Sequence, residues 1–165
     1  MSWSEIAIYA MANAASWIAV QMGFAWVGTR MPVQRFEREF WWSRSFWFEA
    51  EGRLYEQIFR IKAWKDASPD GASWFEGGFP KRRLKSRHTD YIARFVAETR
   101  RGEAVHWAVI FTLPFFIALN PPEAAPVSIA YALAANLPFI AIQRYNRIRM
   151  NRVLEMKKRR HHHVG

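Results

Sequence analysis

The chain has 165 residues, 24 Lys and Arg against 14 Asp and Glu, a net charge of +10 and no cysteine. That length leaves room for one domain, residues 1–165, and the absence of cysteine excludes disulfides, thiolate metal sites and a Cys-linked acyl intermediate. An evenly charged surface is excluded too, because every Lys and Arg lies between Arg30 and Arg101 or between Arg144 and Arg160.

The segments free of positive charge contain the three most apolar stretches, at residues 6–28, 104–119 and 127–142. Basic residues confined to the connections on one side obey the positive-inside rule. The expected fold is an all-α integral membrane protein with about three membrane-embedded helices. Amphipathic interfacial helices lie on the cytoplasmic side, within residues 30–101. The alternative is a soluble protein with three buried helices. Nine Trp and an aromatic content of 16% fit membrane interfaces better than a soluble core of this size. The expected location is a cell membrane, multi-pass, with the N-terminus outside and the C-terminus in the cytoplasm.

Residues 6–28 form a stretch long enough for a span, which needs roughly 20 residues. It lacks the basic n-region of a cleavable signal peptide. Pro32 stops this helix, and Arg30 meets the headgroups. Phe36, Phe40, Trp41, Trp42, Phe46, Trp47 and Phe48 then alternate with Arg35, Arg38 and Arg44 and with Glu37, Glu39 and Glu49. Such interleaving predicts a segment lying in the interface. A soluble amphipathic helix and base stacking are the competing readings, and nucleic acid is not an expected partner.

Leu54, Tyr55, Ile58, Phe59 and Ala63 recur at helical spacing and predict a second in-plane helix. It ends at Ala67-Ser68-Pro69-Asp70-Gly71, a turn signal. Residues 73–87 read as a cytoplasmic loop carrying Gly77-Gly78 and the basic run Lys81-Arg82-Arg83-Leu84-Lys85, without a P-loop consensus. Thr89 is a predicted N-cap with Asp90 in the first turn. Gly102 marks an expected bend where this helix enters the bilayer.

The stretches 104–119 and 127–142 hold 16 residues each, rising about 24 Å against a core of about 30 Å. They either extend into their flanks or form a hairpin that does not quite cross. Between them, Asn120-Pro121-Pro122-Glu123-Ala124-Ala125-Pro126 is a helix-stopping turn. His161, His162 and His163 at the C-terminus are assigned no function.

Ionisable groups at membrane depth are costly and are functional by default. Glu98, Arg101, Glu103 and His106 are spaced to share a helix face, and an antiparallel hairpin brings Asn136, Gln143, Arg144, Asn146 and Arg147 to the same depth. A carboxylate beside a histidine makes a general base, and guanidiniums and amides stabilise an anion or a carbonyl. The expected roles follow. His106 is the base and Glu103 or Glu98 orients it. Arg144, Asn146 and Arg147, with Gln143, Asn136 and Arg101, bind the substrates. The competing reading is that Glu98 and Glu103 only neutralise Arg144 and Arg147. Glu103-x-x-His106 is half of a di-iron motif whose second copy is missing, so no metal and no cofactor is expected. A Gly-x-Ser-x-Gly elbow is absent as well.

Several blocks, in order, carry a resemblance. They are Thr29-Arg30-Met31-Pro32, Ser45-Phe46-x-Phe48-Glu49, Lys62-x-Trp64-Lys65, Glu98-Thr99-x-Arg101-x-Glu103-x-x-His106-Trp107, Ala135-Asn136-x-Pro138 and Gln143-Arg144-Tyr145-Asn146-Arg147-x-Arg149. From about Trp17 to Leu154 the chain resembles the glycosyl-4,4'-diaponeurosporenoate acyltransferases of bacterial C30 carotenoid pathways. The resemblance implies transfer of a fatty acyl group to a sugar hydroxyl of a glycosylated carotenoid, as in staphyloxanthin synthesis. It assigns no residue roles. Without Cys or a serine elbow, direct transfer from acyl-CoA or acyl carrier protein is the simpler route. Both donors are acidic and suit a basic inner face beside anionic membrane lipids. A glycosylated carotenoid or glycolipid is the expected acceptor. A non-catalytic membrane subunit and a lipid carrier remain the alternatives.

Overall fold

A computed structural model describes residues 3–69, 74–81 and 84–164. Among these residues the secondary structure is entirely helical. The Asp70-Gly71 part of the expected turn, Ser73, and Arg82-Arg83 in the basic run lie outside the described residues, as do the side chains of His161, His162 and His163.

Helix α1, Trp3–Arg30, is rich in alanine and bears Glu5 in its first turn and Arg30 in its last, both favourable to the helix dipole. It ends just before Pro32, as expected. Helix α4, Thr89–Ile110, is preceded by His88 as N-cap. The cap therefore falls one residue before the expected Thr89, which is already helical. Two residues separate α4 from α5, Leu113–Leu119. Pro114 accounts for that break, since it cannot donate to the Ile110 carbonyl one turn back. Gly102 therefore makes no bend. It lies inside α4, and a Cβ there would meet the Gln143 side chain at 3.1 Å. Its role is close helix approach. After a short 3-10 turn at Pro122–Ala124 comes α6, Ala125–Val164, a continuous helix of 40 residues.

Two helical stretches are long and apolar enough to cross a membrane, Thr89–Leu119 and Pro122–Arg160. Of the 16-residue stretches expected from sequence, 104–119 is the C-terminal half of the first and 127–142 lies inside the second. Helix α1 is not among them: Asn13, Ser16 and Gln21 dilute its apolar run. It packs against the hairpin all the same. Trp17 stacks on Phe116 with ring centroids 3.9 Å apart, in a core shared with Val109 and Ala132. Asn13 donates to the Asn120 side chain at the hairpin turn, while Asn120 caps the Phe116 carbonyl at 2.7 Å. At the other end Gly28 is pressed so closely on Val105 that a Cβ would lie 2.4 Å from its methyl.

The segment between α1 and α4 departs from expectation. The expected interfacial segment Phe36–Phe48 takes the form of a string of 3-10 turns, Val33–Phe36, Trp41–Ser43 and Trp47–Gly52. The predicted helix from Leu54 to Ala63 is split into α2, Arg53–Gln57, and α3, Ile61–Trp64. Arg60 sits between them with φ +47°. The reason lies in packing. Tyr55 and Ile61 are both buried against Tyr145 and Ile148 of α6, and a straight helix would not turn both onto one post. The break carries strain, since a left-handed non-Gly residue is disfavoured.

Candidate active site

Two polar assemblies lie where α4 meets α6, and they differ in access to solvent. The first is a buried ion network. Arg144 of α6 donates from Nε and Nη2 to the two oxygens of Glu49, at 2.8 and 3.0 Å, in a bidentate pair. Its Nη1 reaches Glu103 of α4 at 2.8 Å and the Trp42 carbonyl at 2.9 Å. Its Nη2 also donates to the Arg44 carbonyl at 2.6 Å. Glu103 is shared with Arg147, whose Nη2 lies 2.6 Å away. Tyr55 and the Phe46 N–H complete the shell of Glu49. Burial pushes the Glu49 carboxyl up, but hydrogen bonds from Arg144, Tyr55 and the Phe46 N–H, with the Arg144 charge, outweigh it and hold Glu49 below the usual carboxylate range. Burial and the Glu49 carboxylate together push the Tyr55 hydroxyl up, so it stays a proton donor.

A second pair of arginines fastens the neighbouring chain. Arg100 donates to the carbonyls of Phe36 and Glu37 at 3.1 and 2.8 Å. Arg101 donates to the carbonyls of Thr29 and Met31 at 3.4 and 3.1 Å, which is a cation on the negative end of α1. Arg101 also reaches the Gly77 carbonyl at 3.5 Å and pairs with Glu98 at 2.7 Å.

The second assembly is a cleft of about 260 Å³ between α1, α4, α6 and the segment around Trp74 and Lys81. Met22, Ala25, Val105, Val109 and Phe139 supply apolar wall. His106 and Asn136 supply the chemistry. Asn136 is fully buried and donates from Nδ2 to the Ala132 carbonyl at 2.9 Å. That bond turns its Oδ1 to His106 Nδ1 at 3.0 Å. A carboxamide oxygen only accepts, so Nδ1 carries the hydrogen and, in the neutral ring, Nε2 carries the lone pair. Phe139 stacks on the imidazole at 5.0 Å and fixes its plane.

The expected site residues are thus divided between the two assemblies. His106, Asn136, Gln143 and Arg101 line the cleft together. Glu103, Arg144 and Arg147 belong to the buried network. Glu103 is held by both guanidiniums, and Glu98 by Arg101, while the hydrogen-bond partner of His106 is the amide of Asn136. Asn146 lines a smaller adjoining cavity with Lys65 and Lys81. Glu49 and Phe139 had no role in the sequence reading. For Glu49 the available signal was its place in the Ser45-Phe46-x-Phe48-Glu49 block. For Phe139 it was the position three residues after Asn136, on the same helix face. Among the described residues, no group of three or more His, Asp or Glu side chains comes together as a metal site.

Residues 38–156 match the model of the glycosyl-4,4'-diaponeurosporenoate acyltransferase family. The chain is similar to the glycosyl-4,4'-diaponeurosporenoate acyltransferase of Staphylococcus aureus strain USA300, at 36% identity over 145 residues covering 87% of each chain. The proteins of the same name from strains Newman and bovine RF122 / ET3-1 are 35% identical over the same share. No solved structure matches the chain.

Proposed function

The chain belongs to the glycosyl-4,4'-diaponeurosporenoate acyltransferase family and is an enzyme of the transferase class; from that premise we propose that it moves a fatty acyl group from an acyl thioester to a sugar hydroxyl of a glycosylated carotenoid or a similar glycolipid. Acyl-CoA or acyl carrier protein is the donor. The observation that supports this reading is the orientation of Asn136, which selects for the neutral His106 ring the tautomer with its lone pair on Nε2.

In the proposed step the sugar oxygen attacks the thioester carbonyl carbon while His106 Nε2 takes the hydroxyl proton. The C–S bond then breaks, and the imidazolium returns the proton to the departing thiolate. An ester and a free thiol result. Asn136 keeps the ring in position and accepts from Nδ1–H throughout. Arg101 and Gln143, on the same cleft, supply N–H groups toward developing charge on the carbonyl oxygen. Glu103, Arg144 and Arg147 act at one remove, by holding α4 and α6 in the register that brings His106 to Asn136.

The proposed membrane orientation has the α1 N-terminus and the Pro121 turn outside, and residues 30–101 and the C-terminus inside. Its support is the Lys/Arg distribution. On this reading α1 accompanies the two long apolar helices through the bilayer. Trp41 and Trp47 are 78% and 91% exposed beside Arg44, a combination that suits the headgroup region of an anionic inner leaflet.

The test is direct. The purified protein in lipid nanodiscs is incubated with glycosylated C30 carotenoid and either acyl-CoA or acyl carrier protein, and products are read by mass spectrometry. Formation of the sugar ester is expected. Absence of ester with both donors would overturn the proposal.

A further inference from the structure

The cleft that holds His106 is polar at one end and apolar at the other. Gly28 meets Val105 and Trp17 meets Phe116, so α1 runs antiparallel to α4 and α5. That pairing sets the depth of each wall residue. Thr29, Arg101 and Gln143 stand at the inner end, where α1 stops. Ala25 and Met22 lie level with the turn of α4 that follows His106 and carries Val109. His106 sits where the polar wall gives way to the apolar one.

The apolar end is sealed at its far limit. Trp17, stacked on Phe116, also meets Tyr131 of α6 with ring centroids 5.3 Å apart, and Gln21 donates to the Tyr131 hydroxyl at 3.3 Å. Short of this seal the cleft is open, and Met22 on its wall is exposed. In the proposed orientation that depth is bilayer, so the opening gives onto lipid. A polar end, a base and an apolar end in that order suit an amphiphile lying head inward. The volume of about 260 Å³ equals about nine groups of ~30 Å³, the size of a water and close to that of a methylene.

We propose that this apolar end is the binding site for the acyl chain of the donor. In an acyl thioester the methylenes begin at the reacting carbonyl carbon. Here the apolar wall begins at the base itself, with Phe139 stacked on the His106 ring and Val105 preceding it on α4. The polyene of the acceptor is held off from the reacting hydroxyl by a sugar ring, so its apolar part does not start beside His106. The thioester carbonyl lies level with His106, and up to about nine carbons run past Ala25 and Met22. The remainder of a longer chain leaves through the open side into lipid. This inference rests on the proposed function and adds to it the seat of one substrate.

Full-length protein in nanodiscs provides the test. The chain has no cysteine, so Ala25→Cys places a single thiol in the site, and its rate of alkylation by a small thiol reagent is measured without acceptor. Palmitoyl-CoA or palmitoyl-acyl carrier protein should slow that rate about tenfold, while unacylated coenzyme A leaves it within about twofold. Slowing by the glycosylated carotenoid instead, equal slowing by coenzyme A, or no slowing at all overturns the site. Ala25→Phe fills the same space. In wild type kcat/KM should favour a palmitoyl over a butyryl donor, and Ala25→Phe should cut that ratio at least about tenfold, the scale of one or two methylene contacts. Met22→Trp should lower it as well, and it serves if Ala25→Phe does not keep the wild-type melting temperature. An unchanged ratio overturns the site. If palmitoyl donors protect Ala25→Cys while no ester forms, the acyl site stands and the proposed function fails. Ester formation with no protection and an unchanged ratio would leave the proposed function standing and remove the acyl site.

Discussion

Arg144 grips Glu49 through two parallel N–H···O bonds of 2.8 and 3.0 Å, joining residues 95 apart in sequence. One guanidinium thereby ties the segment before α2 to α6, and through Glu103 to α4. Breaking one member of a buried ion set leaves its partners charged and unpaired, at about 3–5 kcal/mol. Arg144→Leu is expected to lose about that much stability, read as a lower melting temperature and a lower yield of folded protein in detergent. Arg144→Lys, which keeps the charge but not the bidentate fork, should fall between the two.

The same pair sets a pH dependence. Glu49 has a lowered pKa in the folded protein. Its contribution is therefore fully present above the unfolded glutamate value of about 4.3 and is lost as pH falls through the lowered folded value. Melting temperature, followed by tryptophan fluorescence, should drop as the pH is taken down through that window. Glu49→Gln should show a lower melting temperature at neutral pH and a flatter acid limb.

His106→Ala is expected to lower kcat about 10²–10⁴-fold, the range of general-base catalysis, with KM for both substrates and the melting temperature little changed. Asn136→Ala should also lower kcat, by less, because Nδ1–H loses the acceptor that fixes the tautomer. Retained turnover in His106→Ala would remove His106 from the chemistry.

Helix α1 is seated by Gly28 against Val105. Gly28→Ala should destabilise by about 1–3 kcal/mol through overpacking. Val105→Ala, introduced with it, should recover most of that loss. A double-mutant cycle on thermal stability measures the coupling, and additive effects would show that the contact is not tight.

A reporter fused to the C-terminus should be active only in the cytoplasm, and a label on the N-terminus should be reached only from outside. The opposite result for either end would overturn the proposed orientation.

Much of this was legible because hydrophobic burial and charge leave periodic traces. The helical class, the Pro32 stop and the turn at Asn120 follow from local rules that tertiary contacts did not override. The break between α2 and α3 was not legible. The apolar spacing of Leu54, Tyr55 and Ile58 is compatible with one helix, and only the demand that Tyr55 and Ile61 both pack on α6 splits it. For the site, sequence brought His106, Asn136 and Gln143 to one depth, since antiparallel pairing of two helices fixes depth. It left open which polar groups face one another, a matter of helix rotation. Glu103 and Asn136 both lay within reach of His106 on paper. In the structure Glu103 is held by Arg144 and Arg147, and the amide meets the ring. Gly102 could be read as a hinge or as a clearance, and that choice depends on Gln143, a residue on another helix.

Arg100 and Arg101 hold carbonyls of residues made 63 to 72 positions earlier. During synthesis those carbonyls emerge first, and at about 5–20 residues per second their partners follow roughly 3–15 s later. Until α4 arrives, the end of α1 and the chain beyond it have only water or headgroups to satisfy them. The end of α1 and the chain just beyond it therefore gain these partners only once α4 is made, although they are translated first. A nascent chain arrested before Arg100 would hold α1 with its C-terminal end unfastened, open to proteases that the finished protein excludes.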